Sequence, residues 1–254
     1  MVARRTACLR EGKTASRRQR QAAVALGLAL LGGCTVPYAT VEPGGRLAVL
    51  GPAPDFTLAS LAPDWLLEGR PAAGSGTIRL DGVPALRFAV EDRAYALVRH
   101  TRAVVLATPY LSWAWNMEAS GRGLHPLGLA VGFHGGDPRG TSQGAHPLAW
   151  LGTSLPPHDR RLVIRWGDSA LQRGSFVTPT GGNADTDPMR EYVQRGGREN
   201  AGQWWLETVD LADLYRRAWP DDDIGRAHIV FVGIWASAAR HRAVANVSGI
   251  LLSR

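Results

Sequence analysis

The stretch Pro109-Tyr110-Leu111-Ser112-Trp113-Ala114-Trp115-Asn116-Met117 alternates without interruption. Strand side chains point to opposite faces with a period of two. Leu111, Trp113, Trp115 and Met117 therefore share one face, and Tyr110, Ser112, Ala114 and Asn116 the other. A helix would scatter the same residues around its girth. Each indole buries about 150–250 Å² when covered, so this strand needs a second layer to pack on. The inward face is Leu111-Trp113-Trp115-Met117. The outward face is left to Tyr110, Ser112 and Asn116.

Other segments repeat the pattern. Thr77–Leu80 and Ala85–Val90 flank Asp81-Gly82, a turn pair that specifies a hairpin. Tyr95–Arg99, Ala103–Ala107, Leu127–Phe133, Pro147–Gly152, Arg161–Trp166, Gln203–Thr208, Ile229–Trp235 and Val244–Leu252 read as further strands. Leu127–Phe133 has one thin face, Gly128, Ala130 and Gly132. Asp210 is placed to cap one short helix, Leu211–Ala218, which Pro220 ends. Short strands at this spacing predict a mainly β fold, an antiparallel β-sandwich of jelly-roll or lectin-like type with one short helix. The glycines and prolines between 167 and 202 predict a long excursion.

The N-terminus is organised differently. Residues 1–21 are rich in arginine, 22–31 form a short apolar run, and Gly32-Gly33-Cys34 follows. Spanning a bilayer takes about 20 apolar residues, so the run describes a secretory signal rather than an anchor helix. Leu31-Gly32-Gly33-Cys34 resembles the lipobox of bacterial lipoproteins. That resemblance implies cleavage before Cys34, lipidation of Cys34 and, with Thr35 next, attachment to the periplasmic side of the outer membrane. The expected organisation is a signal peptide over 1–33, a flexible tether over 34–58 and one sandwich domain over 59–254. Cys8 leaves with the signal, so the mature chain has no disulfide and no thiolate metal site.

Charge excludes one class of function. The chain has 29 Lys+Arg against 22 Asp+Glu, but 1–33 holds seven of those bases against Glu11 alone. Beyond it the charges nearly cancel. The basic balance belongs to the leader, and no nucleic-acid partner follows from it. All 9 tryptophans lie beyond the leader.

Pro109–Trp115, Trp150, Trp205 and Val209-Asp210-Leu211-Ala212-Asp213-Leu214-Tyr215 together resemble a family of bacterial periplasmic proteins and lipoproteins of unknown function. That family is marked by a P-x-L-x-W-x-W strand, and the resemblance implies a jelly-roll or lectin-like sandwich. Relatives carry an Asp-Asp pair before the strand matching Leu127–Phe133, where this chain reads Gly123-Leu124-His125-Pro126. They also carry an Asp-rich turn where this chain reads Ala236–His241. No site residue is carried across.

Chemical motifs are incomplete. Gly167-Asp168-Ser169 lacks the D-x-x-H partner of a GDS-type esterase. Asn183-Ala184-Asp185-Thr186-Asp187 begins like a calcium loop but has Pro188 where that loop needs glycine. His125, His134, His146 and His158 lack the tight spacing of zinc ligands, so no metal or cofactor is expected. Asp221-Asp222-Asp223 reads as a solvated turn. The candidates for acid–base chemistry are Glu118, His134, Asp137 and His146, with Glu118 and Asp137 the conceivable glycosidase pair. The candidates for binding are Tyr110, Asn116, Trp204 and Trp205; adjacent strand residues point oppositely, so one of the two tryptophans faces outward. The expected function is non-catalytic binding of a glycan or another envelope component, polysaccharide or peptidoglycan. An envelope polysaccharide hydrolase or lyase and a structural interaction protein are the alternatives.

Overall fold

The alternating segments pair into two sheets stacked face to face. The structure, a computed structural model, describes residues 37–51, 61–140, 155–177 and 189–254. The leader with Cys34, the expected strand at 147–152 with Trp150, His146 and the 183–187 loop lie outside the described residues.

In chain order the strands are β1 (Ala39–Thr40), β2 (Arg46–Ala48), β3 (Trp65–Gly69), β4 (Gly76–Leu80), β5 (Val83–Val90), β6 (Tyr95–Val104), β7 (Tyr110–Met117) and β8 (Leu127–His134). They continue as β9 (Arg160–Gly167), β10 (Phe176–Val177), β11 (Met189–Gly196), β12 (Trp204–Asp210), β13 (His228–Ala236) and β14 (Ala243–Ser253). The larger sheet has 8 strands in the order β1-β6-β13-β8-β9-β11-β10, with β3 also on β6. The smaller has 6 in the order β12-β7-β14-β5-β4, with β2 also on β14. Pairing is antiparallel except for β1–β6 and β9–β11, which are parallel.

Local chemistry explains the elements. Asp81 and Gly82 both take positive φ, 51° and 81°, as a two-residue turn between right-twisted strands demands. The single α-helix among the described residues, α1 (Leu211–Ala218), starts at Asp210, whose carboxylate accepts the backbone N–H groups of Ala212 and Asp213. Its buried face closes one end of the core, with Tyr215 5.0 Å and Trp219 6.0 Å from the Phe133 ring. The core centre is aromatic: Trp113 meets Trp115 edge-on at 5.2 Å, and Trp115 meets Trp166 at 5.7 Å. The outer side of the larger sheet is filled too. A Cβ on Gly132 would sit 2.1 Å from the Phe231 ring, so the thin face of β8 exists to let that ring lie flat on the sheet. Leu155 and His158 cover Phe231 in turn.

Four expectations change. Part of the 34–58 tether is structure: β1 pairs with β6 and β2 with β14, so the sandwich begins before residue 59. The excursion from 167 to 202 contains β11, a strand paired along its whole length with β9. Its Glu191 and Gln194 are buried although the sequence reads as polar surface. Tyr95–Ala107 is one strand followed by a turn rather than two strands, because Thr101 stays in the sheet and donates its hydroxyl to the Ile229 carbonyl at 3.1 Å. Asp222 is no solvated turn residue. It receives both Nε and Nη2 of Arg160, at 2.7 and 2.8 Å, and the Tyr215 hydroxyl at 2.8 Å.

Candidate functional site

Strand β7 enters the smaller sheet at Tyr110 and leaves it at Met117, so each of its faces runs from one end of the sandwich to the other. The end where β7 begins and β8 finishes is called basal, and the opposite end distal. Near the distal end a straight row crosses the outward face: Trp204 lies opposite Asn116, Asn116 opposite Asn246, and Asn246 opposite Arg87. Arg87 Nε donates to Asn246 Oδ1 at 3.0 Å, and Asn246 Nδ2 donates to the Asn116 carbonyl at 3.4 Å. Arg87 Nη2 reaches Glu118, two residues beyond Asn116, at 3.4 Å. Both amides are buried, and that of Asn246 is held by these bonds; the Trp204 indole at the end of the row is half-buried, and its buried Nε1–H has no partner.

Glu118 also lines a pocket where the core opens at the distal end. The pocket is small, about 20 Å³ or room for little more than a water, and lies between Glu118 and Ser120 after β7, His125 before β8, Trp166 and Asp168 closing β9, and Arg198 between β11 and β12. Both sheets thus contribute to it. His125 is 2 % exposed. Its Nδ1 accepts the Leu127 backbone N–H at 3.2 Å, which leaves the proton on Nε2. Burial drives the ring pKa down to about 4, against opposing backbone contributions from Leu127 and Glu118. His125 is therefore neutral at pH 7, its ring held by the backbone of Leu127 and Glu118.

The sequence candidates do not come together as one set. Asn116 and Trp204 do, on the row. Tyr110 shares their face but stands six residues along β7, about 20 Å away at the basal end. Trp205 faces the core opposite Trp115; its Nε1 donates to the Asn200 carbonyl at 2.9 Å, and the Arg195 guanidinium lies 3.7 Å over its ring. That packing makes Trp205 structural, and Trp204 is the outward member of the pair.

Glu118 and Asp137 are not a facing pair. Glu118 sits at the distal end, whereas Asp137 follows β8 at the basal end, a strand length of about 23 Å away. Asp137 is buried against Arg160 at 3.2 Å and is also met by Arg139. His134, half exposed, lies at the same end, with Nδ1 3.8 Å from Asp159. His146 lies outside the described residues. No group of three or more metal-ligating side chains occurs among the described residues.

Sequence reasoning missed His125, Asp168 and Arg198 as pocket residues. Gly167-Asp168 closing an apolar strand was the one available signal; His125 and Arg198 stand in glycine-rich turns that carry no pattern.

No family model matches the chain, and no curated protein sequence matches it. Among solved structures, a family 12 xyloglucanase from Bacillus licheniformis in complex with ligand aligns with 82 % of this chain and 98 % of its own, at TM-score 0.43 and 8 % identity. Endoglucanase 3 of Trichoderma harzianum, from family GH12, aligns with 70 % of this chain and 81 % of its own, at TM-score 0.38 and 10 % identity. A carbohydrate-binding module of the β-sandwich superfamily aligns with 82 % of this chain and 62 % of its own, at TM-score 0.35 and 8 % identity. These are likenesses of sandwich architecture and assign no residue a role.

Proposed function

We propose that the chain is a lipoprotein held on the periplasmic side of the outer membrane through Cys34, and that its sandwich binds an envelope glycan, polysaccharide or peptidoglycan, without cleaving it. The observation that carries this is the cross-strand row ending in Trp204. An indole at one end of the row and the Arg87–Glu118 pair at the other put an apolar surface and hydrogen-bonding groups on one sheet face, the pairing that a sugar ring's two surfaces require. The buried Asn246 amide, tied to Arg87 and to the Asn116 backbone carbonyl, fixes the middle of that row, so less ordering is left to oppose binding. Four carboxylates with buried side chains elsewhere, Asp137, Asp222, Glu191 and Glu207, are each engaged by an arginine inside the fold, which makes them structural ion pairs.

Pulldown of the full chain on insoluble peptidoglycan and on purified polysaccharides tests it. Trp204→Ala should weaken retention about tenfold while leaving the circular dichroism spectrum unchanged. Retention equal to the parent would remove the row from the function.

One observation favours a second reading. Glu118 and Asp168 approach the distal pocket from different sheets, the disposition of carboxylates on either side of a glycosidic bond in a hydrolase. Release of reducing ends by the parent, abolished by both Glu118→Gln and Asp168→Asn, would establish that reading in place of simple binding.

A further inference from the structure

We infer that the free edge of β12 docks a second copy of this chain, joining two smaller sheets into one continuous sheet. The inference stands apart from the glycan reading and from the anchor. A strand that ends a sheet leaves a row of backbone N–H and C=O groups unpaired, and proteins blunt such rows with short strands, charges, prolines or bulges. Most edges here are blunted. β1 and β10 have two residues each, β3 ends in exposed Glu68 and Gly69, and β4 carries exposed Arg79. β12 is the longest of the edge strands among the described residues, at 7 residues. It has no proline, keeps an unbroken register on β7 and exposes no charge before its last residue, Asp210.

The ladder fixes which groups are on offer. Leu211 donates its N–H to the Pro109 carbonyl at 2.6 Å, so the odd-numbered residues of β12 are those that exchange backbone bonds with β7. The N–H and C=O of Trp204, Leu206 and Thr208 therefore point off the sheet edge, and no backbone or side chain among the described residues bonds to them. Their side chains lie on the outward face, where Leu206 is 78 % exposed. An antiparallel copy related by a two-fold axis at Leu206 sets that residue against Leu206 of the partner subunit, and Trp204 against Thr208 of the partner subunit. Every backbone group on offer is then paired, and an apolar strip runs from one Trp204 through both Leu206 side chains to the other. No like charges meet. Glu207 is turned inward, held by Arg195 and Gln194, and falls opposite Trp205 of the partner subunit; Asp210 falls opposite Gly202 of the partner subunit. A strand of this length spans about 24 Å, which is narrow for a stable interface, so the dimer should form with a Kd of about 10–100 µM. The two Trp204 side chains then share one face, about 14 Å apart.

The test uses the full chain. In sedimentation velocity the parent should pass from monomer to dimer between about 1 and 500 µM. Leu206→Lys alone and Leu206→Glu alone should each stay monomeric over that range, because the two-fold axis sets like charges side by side, and an equimolar mixture of the two should dimerise. Position 206 is exposed, so the circular dichroism spectrum should not change in either variant. Register is read by mild oxidation and mass-spectrometric mapping of disulfides. The Leu206→Cys variant should link position 206 to itself across the dimer, where paired Cα atoms lie about 5.5 Å apart; the Thr208→Cys variant should not link to itself, its copies lying about 14 Å apart. A parent that stays monomeric throughout overturns the inference and leaves the edge to another protein or to solvent. So does a charged variant that dimerises like the parent, a mixture that stays monomeric, or equal linking at 206 and 208.

Discussion

The two ends of the sandwich are finished in opposite ways. At the basal end α1 plugs the core, and Arg160 is clamped between Asp137 and Asp222, with the Tyr215 hydroxyl completing the set. Burial lowers the affinity of Arg160 for its proton, but Asp222 and Asp137 more than restore it, so the cation is held; the Tyr215 hydroxyl is pushed well above its usual range by burial and then by Asp222. The buried charges there are answered by others from the chain, although the Trp219 Nε1–H and Asp159 Oδ1 have no hydrogen-bond partner. At the distal end the core stops at a small pocket lined by buried, neutral His125, and Glu118 is half exposed. Buried charges cost free energy unless paired, so the end that pairs Arg160 with two carboxylates is built for stability, and the end that leaves Glu118 half exposed is the one open to a ligand.

Arg160→Met attacks the closed end and should have the largest effect. It strands two buried carboxylates and should cost about 3–5 kcal/mol in urea unfolding. A loss under about 1 kcal/mol would mean the network is not the clasp its geometry describes. Next comes acid. The His125 pKa is lowered in the fold from 6.5 to about 4, so below 6.5 the unfolded chain binds a proton that the folded chain refuses. Its contribution is complete above pH 6.5 and falls away as the pH drops toward 4. Comparing urea unfolding at pH 7 and pH 4.5, the parent should lose about 2–3 kcal/mol more than His125→Phe. Equal losses would show that His125 is not what makes the distal end acid-sensitive. The smallest effect belongs to Tyr110→Ala, at an exposed basal position with no core contact. It should change unfolding by less than about 0.5 kcal/mol and leave glycan retention unaltered. Lost retention would move the ligand to the basal end and reverse the comparison.

What was legible in the sequence followed from short-range rules. The Asp81-Gly82 hairpin, the Asp210-capped helix and the two faces of β7 each depend on residues within one element. What was hidden depended on distance along the chain. Asp222 looked solvated because its arginine partner is 62 positions away. Strand β11 looked like loop because Glu191 is buried through Arg165, donated to it at 2.8 Å from a strand 26 positions earlier. Asn116 looked like an exposed contact residue because nothing local shows that Asn246 and Arg87 cover it. The carboxylates proposed as a pair, Glu118 and Asp137, are close in sequence and lie at opposite ends because β8 intervenes.

The strand order has a consequence for how this chain is made. β13 lies between β6 and β8 in the larger sheet, and β14 lies between β7 and β5 in the smaller. The last strands to be synthesised are thus interior strands of both sheets, so neither sheet closes until they arrive. Pairings this distant must offset loop-closure entropy before any contact rewards it, which makes folding slow and late. On the proposed export of this chain, folding that waits for β13 and β14 keeps the earlier strands threadable until those two are made.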